Sequence, residues 1–489
     1  MPKGKACGND NIPAELLECL EGKGLDLLTN LINKIYNSGN IPQDFRESLF
    51  VPIPKVASAT DCSDYRTIAL ISHASKILLQ IIKRRITPII ERHLSENQMG
   101  FRKGKGTRDA IFLLRQVGER MAQMGNELFV CFVDYQKAFD RVNHNKLVQA
   151  LEWAGIPELE KNLIINLYWN QRASVRWDKE ISRDFAIEKG VRQGCIISPI
   201  LFNLYSEFMI AEALDELEGV KFNGVNLTNL RYADDAVILA ANEKNLQDMM
   251  NSLNKKCKEY GMAINAKKTM VMVIGTKVET KCEIKIDGLA LEQVDRYKYL
   301  GSWITANMRC DTEIITRIAM AKAAFWQNKE IMKRNVRHET KLKLLNCYVF
   351  SVLNYGCESW TWNKTLERKI DAFEMWCYRR MLKISWKDKV SNNEVLQRIQ
   401  SKMHFRKQMQ KRKMEYAGHV MRGSSGQIHL YILEGKVAGK RPVGRPRLTW
   451  MNDIVSWSKL KNYEQIKRKA ADRSAWRSMV VDLLLEDDN

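Results

Sequence analysis

The stretch that most constrains this chain is Arg231-Tyr232-Ala233-Asp234-Asp235-Ala236-Val237-Ile238-Leu239-Ala240, two adjacent carboxylates between two short apolar runs. Runs of this length, rich in Val, Ile and Tyr, read as strands, so the stretch predicts a hairpin with charge at its tip. Asp is also a good turn residue, and an Asp-Asp turn alone carries no chemistry. A second segment changes the reading. Leu128-Phe129-Val130-Cys131-Phe132-Val133 is an unbroken apolar run, as in a strand buried on both faces, and it stops at Asp134. That carboxylate could cap a following helix. Set beside the hairpin instead, it converges with Asp234 and Asp235. Three carboxylates that close repel one another and titrate upward unless cations neutralise them. Hard oxygen donors of this kind suit Mg2+, which binds through one or two carboxylates and keeps sites for water and substrate phosphate. Two such ions can clamp the attacking and leaving oxygens of an in-line phosphoryl displacement.

The charge balance points the same way. The 489 residues carry 78 Lys+Arg against 57 Asp+Glu, a formal charge of +21, which suits a polyanionic partner. No apolar run approaches the roughly 20 residues of a membrane helix, and Met1-Pro2-Lys3-Gly4-Lys5 lacks a signal-peptide core. Eleven cysteines without a Cys-x-x-Cys pair fit a reduced intracellular protein, nuclear or cytoplasmic, not a disulfide framework. Cys347, Cys357, Cys377 and His404 lack zinc-knuckle spacing.

Tyr-Ala-Asp-Asp at 232–235, with the segment ending in Asp134, resembles the catalytic motifs of reverse transcriptases, and the surrounding residues resemble those of non-LTR (LINE-type) retrotransposons. The resemblance spans roughly residues 10–305. It implies an α+β right-hand polymerase with an antiparallel palm sheet and a helical basic C-terminal extension. The divisions expected are 1–127 (fingers and N-terminal helices), 128–302 (palm), 303–400 (helical thumb) and 401–489 (basic extension). The implied reaction is addition of dNTPs to a DNA primer 3′-hydroxyl on an RNA template. Asp134, Asp234 and Asp235 are the implied ligands of two Mg2+ ions, with Mn2+ as the alternative.

Taken in order, residues 13–37 read as two helices broken at Gly22-Lys23-Gly24, and Ser48–Lys55 as a short strand at a sheet edge, closed by prolines. Asp64-Tyr65-Arg66-Thr67-Ile68 resembles the first fingers motif, in which Thr67 replaces the usual Pro, and Arg66 is the implied triphosphate contact. Ser75 to Arg92 reads as an amphipathic helix. Gly100-Phe101-Arg102, within a Gly-rich basic stretch, resembles the motif that lies along the template. Arg108 to Met121 is a helix. Phe139, five residues after Asp134, is the implied bulky residue that excludes a ribose 2′-hydroxyl. Ser174–Trp177 and Arg183–Ile187 read as a hairpin pair. Gln193-Gly194, ahead of a Ser-Pro helix start, resembles the motif lining the nascent base pair, with Arg192 a weaker match. Leu246 to Tyr260 is a helix. The turn after it carries Lys268, the implied acid for the leaving pyrophosphate, with Lys267 as the fallback. Tyr299-Leu300-Gly301 resembles the primer grip.

From about residue 310 the chain becomes helical and rich in Lys, Arg, Trp and Met. Trp326, Trp360, Trp362, Trp376 and Trp386 are either core residues at helical spacing or part of a stacking surface. Gly439–Arg447 is half an AT-hook in pattern, since Val443 stands where the hook has Arg, and it reads as an extended basic nucleic-acid contact. Nothing before Asn11 supplies the endonuclease of complete LINE-type proteins, and no segment is assigned to an RNase H, so a truncated element is expected. Two other readings stay open: a binding relic that has lost the chemistry, and a group II intron-type or other cellular reverse transcriptase.

Overall fold

The structure is a computed structural model in which residues 3–275, 280–334, 336–399 and 404–485 are described. At its centre is a five-stranded sheet in the order Glu292–Gln293, Met270–Ile274, Leu128–Val133, Asp235–Ala240, Asn229–Tyr232. Leu128–Val133 is the middle strand, antiparallel to both neighbours, and all six of its residues are buried. Side chains alternate faces along a strand. Here Phe129, Cys131 and Val133 enter one hydrophobic core while Leu128, Val130 and Phe132 enter another. That division explains the unbroken apolar run.

The first core is completed by the helices His73–His93, Ser198–Leu214 and Glu243–Glu259. Ser198–Leu214 is apolar nearly all round because it is buried nearly all round. The second core is completed by Thr107–Gln123 and by the C-terminal helices, through Tyr416, Val420, Trp450, Ile466 and Trp476. The C-terminal extension therefore packs onto the back of the central sheet. Each fully buried Leu, Ile or Phe side chain there contributes roughly 1.5–3 kcal/mol.

A second sheet runs Tyr65–Leu70, Glu47–Pro54, Arg172–Trp177, Glu180–Ile181, with Phe185–Ala186 also paired to Arg172–Trp177. Glu47–Pro54 is thus an interior strand, which corrects the expectation of an edge. Its parallel pairing to Arg172–Trp177 stops at Phe50, whereas its antiparallel pairing to Tyr65–Leu70 continues to Pro54. Pro52 and Pro54 therefore lie where the strand has one neighbour, and there a missing N–H is tolerated. The N-terminal helices are Ala14–Glu18 and Lys23–Ser38. Only part of their apolar stripe is used: Ile32, Ile35 and Tyr36 are buried, and Leu16, Leu27 and Leu31 face solvent.

Beyond Thr305 the chain is helical and builds a third core from Ile314, Phe325, Leu345, Trp360, Trp362, Phe373 and Tyr378. Two of the five tryptophans are thus core residues, whereas Trp326 and Trp386 are exposed. Gly439–Arg447 has no regular element and runs past the end of Thr107–Gln123, where Asn126 Nδ2 donates to the Ala438 carbonyl at 2.5 Å and Arg447 to the Asn307 carbonyl at 2.7 Å. Among the described residues no helix is long and apolar enough to cross a membrane.

Candidate active site

The strand register brings the carboxylates together. Val133 pairs with Ala236, so one further step sets Asp134 across from Asp235. Asp235 pairs with Tyr232 across the hairpin, leaving Ala233 and Asp234 at its tip. Ala233 takes φ +59°, a left-handed conformation that favours glycine. Such backbone strain persists only where surroundings hold it. Here the holder is Gln98, whose Oε1 accepts from the Ala233 amide at 3.1 Å and the Gly100 amide at 2.9 Å. The same segment is laced to the hairpin by Met99 N to Arg231 O at 2.9 Å and Arg231 N to Asn97 O at 2.8 Å.

Beneath the hairpin, Arg231 is buried and bonds both Glu207 oxygens at 3.0 Å, with further bonds to Asn229 Oδ1 and Ser95 Oγ. A buried guanidinium needs such pairing, because desolvation of an isolated charge is prohibitive. Asp134 is held from the other side. Asn265 Nδ2 donates to its Oδ2 at 3.1 Å, its own amide donates to Thr269 Oγ1 at 3.2 Å, and Asn265 N donates to its carbonyl at 2.8 Å.

The electrostatics follow the geometry. The cleft's low polarisability, joined by the neighbouring charges of Asp234 and Asp134, pushes the Asp235 carboxyl up to about 6. Asp234 is also raised, first by desolvation and then by Asp134, with its own backbone amide and Arg66 opposing. The opposing pull of Arg66 places that guanidinium within electrostatic reach of the carboxylates. Among the described residues no group of three or more His, Cys, Asp or Glu side chains is close enough to hold an ion alone. Asp134, Asp234 and Asp235 lie within electrostatic reach of one another and form an open donor set. That donor set fits Mg2+, whose remaining sites go to water and substrate phosphates.

The other expected residues divide. Phe139 lies beside the carboxylates' strand end with its ring stacked on Phe202 at 4.4 Å and edge-on to Phe101 at 6.4 Å. Gln193 Nε2 donates to Asp140 Oδ1 at 3.0 Å, and Gln193 O accepts from Ala69 N at 2.8 Å, tying this loop to the Arg66 strand. Gly194 has φ +99°, which favours glycine. Lys267 and Lys268 are both exposed in the turn next to Asn265.

Several residues turn inward. Gly100 is a backbone-to-backbone contact with Ala233. Arg102 is engaged with Glu91 at 2.8 Å and with the Ser95 and Gln98 carbonyls, and Arg192 with Gln171 and the Phe45 and Arg46 carbonyls. Tyr299 is buried against Phe132, so the primer-grip expectation for its side chain is corrected. Leu300 and Gly301 form the tight turn of the hairpin Arg296–Thr305, both with positive φ, and their carbonyls accept from Tyr355 and Arg317. Sequence reasoning missed Gln98, Asn265, Thr269, Glu207 and Asp140. Their one sequence signal is adjacency to the recognised motifs.

The profile of the family described as reverse transcriptase (RNA-dependent DNA polymerase) matches residues 53–304, just over half of the chain. The chain belongs to the reverse transcriptase family. A transposon-derived protein of Caenorhabditis elegans is 31% identical over 244 residues, 48% of this chain and 86% of that protein. The Pol polyprotein of the type-2 retrotransposable element R2 of Drosophila melanogaster is 26% identical over 296 residues, 58% of this chain and 28% of that one. The RNA-directed DNA polymerase from the mobile element jockey of the same fly is 24% identical over 318 residues, 62% of this chain and 33% of that one. The chain thus spans about a third or less of these two polymerases. Among solved structures, apo telomerase from Candida tropicalis has a TM-score of 0.42 at 12% identity, covering 85% of this chain and 73% of that one. This reverse transcriptase keeps its matched region around the sheet that carries Asp134, Asp234 and Asp235, and its relatives agree with the non-LTR resemblance.

Proposed function

We propose that this reverse transcriptase adds dNTPs to a DNA primer 3′-hydroxyl on an RNA template, with the central sheet as palm, residues 1–127 as fingers, 303–400 as thumb and 401–489 as a basic extension. The observation that supports this best is the register that sets Asp134 across from Asp235, with Asp234 at the adjoining tip. Asp134 and Asp234 would hold two Mg2+ ions, or Mn2+, and Asp235 would support them from the edge. When bound, the ions neutralise charge on the attacking and leaving oxygens. The protein's own share is positioning, as is general in phosphoryl transfer. Asn265 fixes the Asp134 carboxylate, Gln98 fixes the strained turn below Asp234, and Arg66 meets the triphosphate. Phe139 stands where a ribose 2′-hydroxyl would clash, and Lys268 gives a proton to the leaving pyrophosphate. The phosphate backbones of template and primer are attracted by the formal charge of +21.

The test is primer extension on poly(rA)/oligo(dT) with Mg2+, comparing the parent with Asp234→Ala. Extension by the parent alone supports the reading. Failure of both, from folded protein that still binds the duplex, favours a binding relic. Equal extension by both places the chemistry on other carboxylates.

A further inference from the structure

Trp386 is 84% exposed, an unusual position for the largest apolar side chain. It stands at the head of a short helical turn, Trp386–Asp388, beyond the helix Lys364–Met381. The turn is fixed from within and from below. The Asp388 carboxylate accepts from the Ser385 amide at 2.7 Å, and the Ser385 hydroxyl accepts from the Lys387 amide at 3.3 Å. Arg379, on the helix, clamps the returning chain by donating to the Val390 carbonyl at 2.9 Å and Asn392 Oδ1 at 2.8 Å. The ring is therefore presented on a braced platform, so little ordering cost attends contact with it.

The neighbouring tryptophans show what the ring lacks. Trp326 and Trp376 have faces covered by the Arg380 guanidinium, at 5.4 and 4.2 Å from their centroids. Among the described residues Trp386 has no ring or cation partner of this kind. Three lysines lie within three residues of it in sequence, Lys383, Lys387 and Lys389, all exposed, and no ion pair of theirs with a carboxylate is found among the described residues. The nearest acid in sequence, Asp388, is committed to the Ser385 amide. A bare indole face on a segment carrying three exposed ammonium groups fits a ligand that is flat and apolar where it meets the ring and anionic elsewhere. A single nucleic-acid strand has this make-up, a π-face on every base and a phosphate between bases.

We infer that Trp386, with Lys383, Lys387 and Lys389, is a stacking site for an unpaired base of single-stranded RNA or DNA, built on the third core and separate from the carboxylate cleft. The site holds a strand before it enters the cleft or after it leaves. The two sources share one chemistry, and direct comparison of RNA and DNA oligonucleotides of the same sequence distinguishes them.

The experiment is equilibrium binding of a short, unstructured, fluorescein-labelled oligonucleotide to the full chain. Base–aromatic stacking is worth about 1–3 kcal/mol per base, so Trp386→Ala weakens binding by about 5- to 150-fold, and Trp386→Phe restores most of it. Replacing Lys383, Lys387 and Lys389 together by Gln flattens the salt dependence without altering the melting temperature. Extension of a short saturating primer–template by Trp386→Ala stays at the parent level, and binding is read whether or not the parent polymerises. Unchanged binding by Trp386→Ala, or Phe no better than Ala, overturns the proposal. A Trp386→Ala defect that appears on blunt duplex and not on single strands overturns it as well.

Discussion

A Cβ on Gly100 would stand 2.2 Å from the Ala233 amide nitrogen, so the basic segment touches, backbone to backbone, the turn that carries Asp234. The other atoms it would meet, Tyr232 C and Ala233 Cα, are also backbone, and no rotamer change relieves the clash. Gly100→Ala therefore shifts the turn. Misplacement on the ångström scale costs on the order of 100-fold in rate, and overpacking costs about 1–3 kcal/mol in stability. Primer extension and thermal melting on the same preparation check both. Full activity would show that the turn moves without consequence.

Asp235 makes the stability depend on pH in a definite direction. Its carboxyl is raised to about 6, above the usual range near 3.8, so the folded protein binds its proton more tightly than the unfolded chain does. The raised group's advantage to the folded state is fully present below about 3.8 and is lost progressively as pH rises from there through about 6. Asp235→Asn should therefore raise the melting temperature in chelator at pH 8, and by a smaller amount at pH 5, which lies inside the window between 3.8 and about 6 where the loss accrues. Mg2+ should stabilise the parent at pH 8 more than at pH 5, because protonated carboxyls bind it poorly. Melting curves in chelator and in Mg2+ at both pH values read this, and an Asp235→Asn gain confined to pH 5 would reverse the assignment.

Phe139 is held by Phe202 and touched by Phe101, so its ring has little freedom to swing away from a nucleotide sugar. Phe139→Val opens that space. Incorporation of rNTPs relative to dNTPs should rise by about tenfold or more, as expected when a steric clash is removed. The lost ring stacking costs about 1 kcal/mol. Competitive extension with mixed nucleotides measures the ratio.

The Arg231–Glu207 pair lies in the interior directly under the hairpin. Glu207→Leu leaves a buried guanidinium without its counter-charge, at a cost of about 3–5 kcal/mol. Removing both charges as Arg231→Met with Glu207→Leu should recover a substantial part of that loss. Urea unfolding of parent, single and double variants checks the coupling, and additive losses would mean that the two residues act independently.

Much of the site was legible because strand and carboxylate are local facts. Leu128–Val133 was readable from composition alone, since a strand at the middle of a sheet needs apolar side chains on both faces. The helix starting at Ser198 was readable from its Ser-Pro start. The primer-grip and template motifs were less so. Tyr299 and Arg102 have the right chemistry for nucleic acid, but packing turns Tyr299 into the core and spends Arg102 on Glu91 and two carbonyls. No local pattern encodes which way such a side chain turns.

The sequence by itself determined which segments are strands and helices, where acidic residues interrupt them, and that the chain favours a polyanion, because periodicity, turn chemistry and net charge are properties of neighbouring residues. Only the tertiary structure decided that Asp134 faces Asp235, that Gln98 braces Ala233 from more than a hundred residues away, and that Trp360 is core while Trp386 meets solvent. Those outcomes depend on strand register and on which surfaces find partners, and both are settled by contacts between segments far apart in the chain.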